Sequence, residues 1–125
     1  MENLNVLLVE DDSLNQFLFQ KLLKNQPFTF EIADDGQVAI EMLKSKVFHI
    51  VFMDINMPVM NGFEFLTAFE QLEIEDRSSV IIVMLTTSMN PEDIKIAQET
   101  TIGGYLNKPL TENDLQKVWE KFFGD

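Results

Sequence analysis

The chain has 125 residues, of which 46% are hydrophobic and none is cysteine, and it carries a formal net charge of −12. One domain with its own core fits this length. The lack of cysteine excludes disulfides and thiolate metal sites. The acidic surplus argues against direct nucleic-acid binding, which requires clustered Lys and Arg. The longest apolar run, residues 80–85, is too short to span a bilayer, and residues 1–3 lack the basic region of a signal peptide, so we expect a cytoplasmic domain without a membrane partner.

The first half of the chain predicts two strand–helix units. Short apolar runs indicate strands at residues 4–9 and 28–33. A helix over residues 14–25 follows the first strand, with Asp12 or Ser13 as its N-cap, and a helix through Lys44 follows the turn at residues 34–36. Helical spacing directs these side chains to the core: Leu14, Leu18, Phe19, Leu22 and Leu23 in the first helix, and Val38, Ala39, Met42 and Leu43 in the second.

Residues 47–62 form the stretch around which the chain is organised. Residues 47–53 are mostly apolar with little alternation, which is typical of a central strand buried on both faces. His49 lies inside this run without a second histidine, and we expect a partly buried packing residue rather than a metal ligand. Asp54 is the first charge after the run, at the strand end where open α/β sheets place their ligands.

The second half continues the alternation of strands and helices. A third helix runs from residue 62 to about residue 72, a fourth strand covers residues 80–85, and a fourth helix begins at the cap Asn90. A short fifth strand covers residues 104–107, and Thr111 and Asp114 form the capping box of a fifth helix. Helical spacing directs these side chains to the core: Phe65, Leu66, Phe69 and Leu72 in the third helix, and Leu115, Val118, Trp119 and Phe122 in the fifth.

This alternation predicts an α/β fold with a doubly wound parallel sheet, because parallel strands need crossover connections. The carboxyl ends of neighbouring strands meet at one edge of such a sheet. The polar residues expected at that edge are Glu10, Asp11, Asp54, Thr86, Thr87 and Lys108.

Three carboxylates at one edge repel one another unless they hold protons or bind a hard cation. Oxygen ligands with room for water favour Mg²⁺. Together with the Lys108 ammonium, a bound cation would attract an anion to this acidic edge. Because a carboxylate can act as a phosphoryl acceptor, the pattern points to phosphoryl chemistry at the edge.

Four motifs at the predicted strand ends resemble those of response-regulator receiver domains, the CheY-like superfamily of two-component phosphorelay systems. The resemblance covers essentially all of residues 1–125 and implies a flavodoxin-like fold with five strands in the order 2-1-3-4-5 and five helices. The motifs are Val9-Glu10-Asp11-Asp12, Met53-Asp54-Ile55-Asn56-Met57-Pro58 with Asn61-Gly62, Leu85-Thr86, and Tyr105-Leu106-Asn107-Lys108-Pro109.

The resemblance implies a signalling switch that catalyses only its own phosphotransfer and autodephosphorylation. Asp54 would accept a phosphoryl group from a phosphohistidine of a sensor histidine kinase or a histidine phosphotransfer protein. Mg²⁺ would be held by Asp11, Asp54 and the backbone carbonyl of Asn56, with Glu10 acting through water. Lys108 would pair with the acyl phosphate.

The resemblance also implies how phosphorylation would be transmitted. Thr86 would donate a hydrogen bond to the phosphoryl group, and Tyr105 would swing in behind it, although a static core aromatic is an equal alternative for Tyr105. The face of the fourth helix, fifth strand and fifth helix would change and be recognised by an unknown downstream protein. The receiver would be a monomer or a phosphorylation-dependent dimer.

Several residues depart from the family pattern or go beyond it. Thr87 stands where the family usually has a small Ala, which would alter phosphate entry or lifetime, and Glu10 replaces the commoner Asp. The segment at residues 13–16 resembles receivers within hybrid sensor kinases, so both a stand-alone regulator and a module of a larger protein fit. Phe17 falls on the polar side of the first helix and is a candidate anchor for the phosphodonor, unless neighbouring side chains cover it.

Three other functions are alternatives. A haloacid-dehalogenase-type phosphatase also uses an aspartyl phosphate, but that family has its nucleophile after the first strand and a second Asp where this chain has Asn56. A nucleotide or flavin module needs Gly or hydroxyl residues after the first strand, where this chain is acidic. A receiver-shaped interaction module that is never phosphorylated is the third alternative.

Overall fold

A computed structural model describes residues 4–24, 26, 29–55, 62–74, 80–86, 104–107 and 110–123. The strands are β1 (Asn5–Val9), β2 (Thr29–Ala33), β3 (Ile50–Asp54), β4 (Ile81–Thr86) and β5 (Gly104–Asn107). The described helices are α1 (Ser13–Leu23), α2 (Gly36–Ser45), α3 (Gly62–Glu70) and a last helix (Glu112–Phe123). None of these helices is long and apolar enough to cross a membrane.

All neighbouring strands pair in parallel, in the order β2-β1-β3-β4-β5. The predicted α/β fold with a parallel sheet is therefore confirmed, and the strand order is the one that the family resemblance implies. The fourth predicted helix, which begins at Asn90, lies outside the described residues, so the number of helices stays a prediction.

Apolar side chains cover both faces of the sheet. Because successive strand residues point to opposite faces, Val51 and Met53 join the core under α2 and α3, whereas Ile50 and Phe52 join the core under α1 and the last helix. The Phe52 ring lies 5.0 Å from the ring of Phe19 and 6.0 Å, edge-on, from that of Trp119. Burial on both faces fixes β3 at the centre of the sheet and thereby fixes where Asp54 emerges.

Side-chain caps begin three of the described helices. Asp12 caps α1 by accepting a hydrogen bond from the Asn15 backbone N–H at 2.9 Å, and Asp35 caps α2 in the same way. The capping box predicted for the last helix is confirmed: the Thr111 N–H donates to Asp114 Oδ2 at 3.0 Å, and the Asp114 N–H donates to Thr111 Oγ1 at 3.1 Å.

The predicted core faces of α1 and α2 are wrong in part. Leu14, Leu18 and Val38 are 62%, 44% and 42% exposed, whereas Ile40, which was not predicted to be inward, is buried. Helical periodicity defines which side chains share a face but not how wide the buried arc is. The buried and half-buried apolar residues of α1 are Phe19, Leu22 and Leu23. The predicted core faces of α3 and of the last helix are confirmed for Phe65, Leu66, Phe69, Leu72, Leu115, Val118 and Trp119.

The third strand begins three residues later than the apolar run that predicted it. Val47 is 68% exposed, and its carbonyl accepts a hydrogen bond from Asn5 Nδ2 at 2.9 Å instead of extending the sheet. His49 is half-buried, as predicted, and its Nδ1 accepts a hydrogen bond from the Asn5 backbone N–H at 2.9 Å. These polar contacts end the β1–β3 pairing at the amino edge, a boundary that apolar periodicity does not reveal.

This boundary can be tested with two identical substitutions in one apolar run. Val51→Ala should lower the free energy of unfolding by about 2 to 3 kcal/mol, because it removes two buried methyl groups and leaves a cavity. Val47→Ala should change it by less than about 0.5 kcal/mol, because Val47 is mostly exposed. Urea unfolding at equilibrium measures both, and equal losses would place Val47 in the core.

Candidate functional site

The acidic residues at the ends of β1 and β3 lie side by side. Val9 pairs with Met53 in the β1–β3 register, so Glu10 and Asp54, which follow them, end neighbouring strands together. Asp54 also pairs with Leu85 of β4, and the Ile55 N–H donates to the Leu85 carbonyl at 3.0 Å. The sheet therefore holds the Asp54 backbone from both sides.

One carboxylate oxygen from each of Glu10, Asp11 and Asp54 lies within 4.8 Å of the others, and we call these residues the acidic cluster. Glu10 and Asp54 are only 2% and 6% exposed, whereas Asp11 is exposed. The protein thus shields Glu10 and Asp54 from solvent, whereas the side of the cluster at Asp11 is open to it.

The acidic cluster suits a hard divalent cation. Carboxylates this close repel one another, and a cation bound between them replaces repulsion with attraction. Mg²⁺ prefers oxygen ligands, usually one or two carboxylates completed by water or phosphate oxygens. The open side at Asp11 leaves room for such further ligands, so the residues present fit Mg²⁺.

The loop that carries Glu10 and Asp11 is held by hydrogen bonds to its own helix and to the next loop. The Asp12 N–H donates to Glu10 Oε2 at 3.2 Å, which fixes one oxygen of that buried carboxylate. Gln16 Nε2 donates to the Glu10 backbone carbonyl at 2.6 Å and to Asp34 Oδ1 at 2.9 Å. This role of Gln16 was not predicted from the sequence. Its position one turn after the cap Asp12 was the available signal, because helical side chains lean toward the amino end.

Other predicted site residues are only partly described. Thr86 ends β4 and pairs with Asn107, and Tyr105 lies in β5 opposite Met84, so both have the expected backbone positions. Asn56, Thr87 and Lys108 lie outside the described residues, and the roles given to them stay predictions.

Three apolar side chains of α1 are exposed, and one of them, Leu18, lines a cavity together with Glu10 of the acidic cluster. We call Leu14, Phe17 and Leu18 the α1 patch; Phe17 is 50% exposed, and its ring centroid lies 5.0 Å from Lys21 Nζ. A cavity of about 270 Å³ adjoins the patch and is lined by Leu18, by Leu110 and by Glu10 of the cluster, among others. Lys21 covers Phe17 in part, yet half of its surface remains accessible.

The fold and the site together define a flavodoxin-like α/β domain with an acidic cluster at the carboxyl edge of its sheet. The family model described as response regulator receiver domain matches residues 6–120, and the chain belongs to this family of two-component signalling domains.

Individual relatives agree with the family assignment. The chain is 35% identical over 119 residues to hybrid signal transduction histidine kinase B of Dictyostelium discoideum, a match that covers 88% of this chain and 6% of that protein. It is 32% identical over 123 residues to chemotaxis protein CheY-3 of Vibrio cholerae, covering 98% and 93%. The chain spans 6% to 26% of the length of the kinases and regulators that come first among these relatives.

A solved complex gives a structural comparison. It contains the Saccharomyces cerevisiae histidine phosphotransfer signaling protein Ypd1 and the receiver domain of its downstream response regulator Ssk1. The match has a TM-score of 0.83 and 30% identity, and it covers 95% of this chain and 88% of the matched chain.

Binding of Mg²⁺ at the acidic cluster should stabilise the folded chain. With Mg²⁺ at about ten times its dissociation constant, the free energy of unfolding should rise by about 1.4 kcal/mol, because the unfolded chain does not hold the three carboxylates together. Urea unfolding with and without Mg²⁺ at constant ionic strength measures this gain.

Two variants with the same change of charge provide the control. Asp11→Asn should lose the Mg²⁺-dependent gain, whereas Glu73→Gln should keep it, because Glu73 is exposed and follows α3 far from the acidic cluster along the sheet. An equal gain in both variants would mean that Mg²⁺ stabilises the protein elsewhere.

Proposed function

We propose that residues 1–125 form a phosphorylation-dependent switch in which Asp54 accepts a phosphoryl group from a phosphohistidine. The observation that carries this proposal is the convergence of Glu10, Asp11 and Asp54 within 4.8 Å at the carboxyl edge of a receiver fold. The chain acts in this proposal as a signalling domain, with no substrate other than its own phosphodonor. The phosphatase alternative is disfavoured because Asp54 ends the third strand, not the first.

The chemistry assigned to Asp54 is nucleophilic. One carboxylate oxygen attacks the phosphorus, and a P–O bond to Asp54 forms as the P–N bond to the donor histidine breaks. Burial of Asp54 among apolar strands limits the number of waters that reach the new acyl phosphate. When bound, Mg²⁺ neutralises charge on the phosphoryl oxygens.

The other residues of the site have supporting roles in this proposal. Asp11 and Asp54 would bind the cation directly, the backbone carbonyl of Asn56 would add a ligand, and Glu10 would act through water. The Asp12 N–H supports the last role, because it holds Glu10 Oε2 in place. Lys108 would pair with the acyl phosphate.

The response to phosphorylation passes through residues that follow β4 and through β5. Thr86 donates a hydrogen bond to the phosphoryl group and draws its loop inward, Thr87 sets how easily phosphate enters and leaves, and Tyr105 moves behind Thr86. The new anion thereby shifts the population of two states that differ on the face of the predicted fourth helix, β5 and the last helix. A downstream protein distinguishes the two states, and dimerisation on phosphorylation is one form of that response.

The donor is a sensor histidine kinase or a histidine phosphotransfer protein. The Ypd1 complex supports the second possibility, because a chain of that complex shares this fold at 30% identity. The α1 patch is exposed and includes Leu18, which lines a cavity with Glu10 of the acidic cluster, so the patch is a candidate apolar anchor for the donor protein.

Phosphorylation by a small donor tests the function directly. Incubated with Mg²⁺ and acetyl phosphate, the chain should gain one phosphoryl group by intact mass spectrometry. Asp54→Asn should gain none, because the attacking oxygen is replaced, and neither should wild-type protein treated with EDTA. Glu73→Gln serves as the control and should be modified like the wild type.

Failure of the wild type to gain mass would contradict the proposal. The chain would then be a receiver-shaped interaction module that is never phosphorylated. A gain that persists in Asp54→Asn would place the modification on another residue.

Removal of the Phe17 ring tests docking separately from chemistry. Phe17→Ala should slow phosphotransfer from the cognate donor protein by roughly tenfold or more, because a truncated aromatic anchor costs binding energy. It should leave phosphorylation by acetyl phosphate unchanged, because that donor needs no docking surface. Val38→Ala removes an exposed apolar side chain from α2 and should affect neither rate. Equal transfer rates for Phe17→Ala and wild type would exclude Phe17 as an anchor.

A further inference from the structure

We propose that Gln16 is a positioning residue that sets the geometry of the acidic cluster by joining the loop after β1 to the loop after β2. This inference rests on the proposed cation site. It states that a residue other than the metal ligands helps to set the affinity of that site for Mg²⁺. Gln16 contributes no ligand atom to the cluster, and it would act through the backbone that carries Glu10 and Asp11.

The contacts of Gln16 connect three segments of the chain. The residue lies in the first turns of α1, where its backbone N–H donates to the carbonyl of the cap Asp12 at 3.0 Å. Its side-chain nitrogen donates to the Glu10 carbonyl at the end of β1 and to Asp34 Oδ1 after β2. One amide group therefore ties the helix start to both loops, and we call this arrangement the Gln16 clamp.

The chemistry of the partners requires a hydrogen-bond donor at this position. A backbone carbonyl and a carboxylate both accept hydrogen bonds, so only the –NH₂ group of Gln16 can face them. A glutamate would direct an anion at two acceptors, and a methionine of similar shape would offer no donor. The orientation of the Gln16 side chain is thus determined by its surroundings.

The Gln16 clamp acts next to the cation ligands. The carbonyl that it holds belongs to the peptide unit between Glu10 and Asp11, and that unit is planar. Fixing the carbonyl direction therefore fixes the plane from which the exposed Asp11 side chain emerges. A second bond within the loop, from the Asp12 N–H to Glu10 Oε2, holds the buried carboxylate. Without the clamp, Asp11 would have to be ordered when the cation binds, and affinity would fall.

The same substitution at two glutamines of one helix tests this role. Gln16→Met should weaken Mg²⁺ binding by roughly tenfold, the lower end of the effect of removing groups that orient metal ligands. Gln20→Met should bind Mg²⁺ like the wild type, because Gln20 is an exposed residue one turn further along α1. Isothermal titration calorimetry with Mg²⁺ alone measures both affinities, and circular dichroism confirms that the variants are folded.

Phosphorylation kinetics separate positioning from a general structural role. With acetyl phosphate as donor, Gln16→Met should raise the Mg²⁺ concentration needed for half-maximal rate, whereas the rate at saturating Mg²⁺ should stay near that of the wild type. A variant that is merely less well folded would lose rate at every Mg²⁺ concentration. That result would overturn the proposal.

Two substitutions of Asp34 test the clamp without changing Gln16. Both Asp34→Asn and Asp34→Ala remove one negative charge near the cluster, but only the asparagine keeps an oxygen that can accept from Gln16 Nε2. Asp34→Ala should therefore bind Mg²⁺ more weakly than Asp34→Asn, and this comparison decides the matter even if Gln16→Met does not fold.

The possible failures can be told apart. Unchanged Mg²⁺ affinity in Gln16→Met, or equal affinities in the two Asp34 variants, would overturn the Gln16 clamp and leave the proposed function intact. Absence of Mg²⁺ binding by the wild-type chain would overturn the cation site itself, and the clamp with it.

Discussion

The structure depends on a central strand that is buried along its whole length and ends in a carboxylate. Every residue of β3 is buried, including Asp54 at 6% exposure. Burying an acid costs free energy unless it is compensated, and the approach of Glu10 and Asp11 raises that cost further. The sheet thus holds three carboxylates close together, an arrangement that fits a divalent cation.

The rest of the fold serves to keep those groups in place. Aromatic packing of Phe52 between Phe19 and Trp119 joins β3 to α1 and to the last helix. The loop after β1 is held by the cap Asp12 and by Gln16 at the start of the same helix. Helix α1 therefore contributes side chains to the core, a hydrogen bond to the loop of the acidic cluster, and the exposed residues of the α1 patch. A displacement of α1 would change all three.

The position of Asp54 could be predicted from sequence because β3 lies between two apolar layers, which leaves an unbroken apolar run before the acid. The start of β3 after Val47 could not be predicted, because Val47 and Val51 are the same type of residue. They differ in their surroundings: Val47 is exposed, and its carbonyl accepts a hydrogen bond from the Asn5 side chain. The prediction that Leu14 and Leu18 lie in the core is wrong, because helical periodicity carries no information about the width of the buried arc. The role of Gln16 depends on contacts across two loops, which spacing along a single helix does not define.

The position of His49 bears on which histidine could be the phosphodonor in the proposed function. It is the single histidine among these 125 residues, it lies at the amino end of β3, and its Nδ1 accepts a hydrogen bond from the Asn5 amide. An extended strand of five residues separates it from Asp54 by about 16 Å, on the opposite rim of the sheet. Direct transfer from His49 to Asp54 within one molecule is excluded by this distance, so the phosphohistidine of the proposed function must be a residue other than that molecule's own His49.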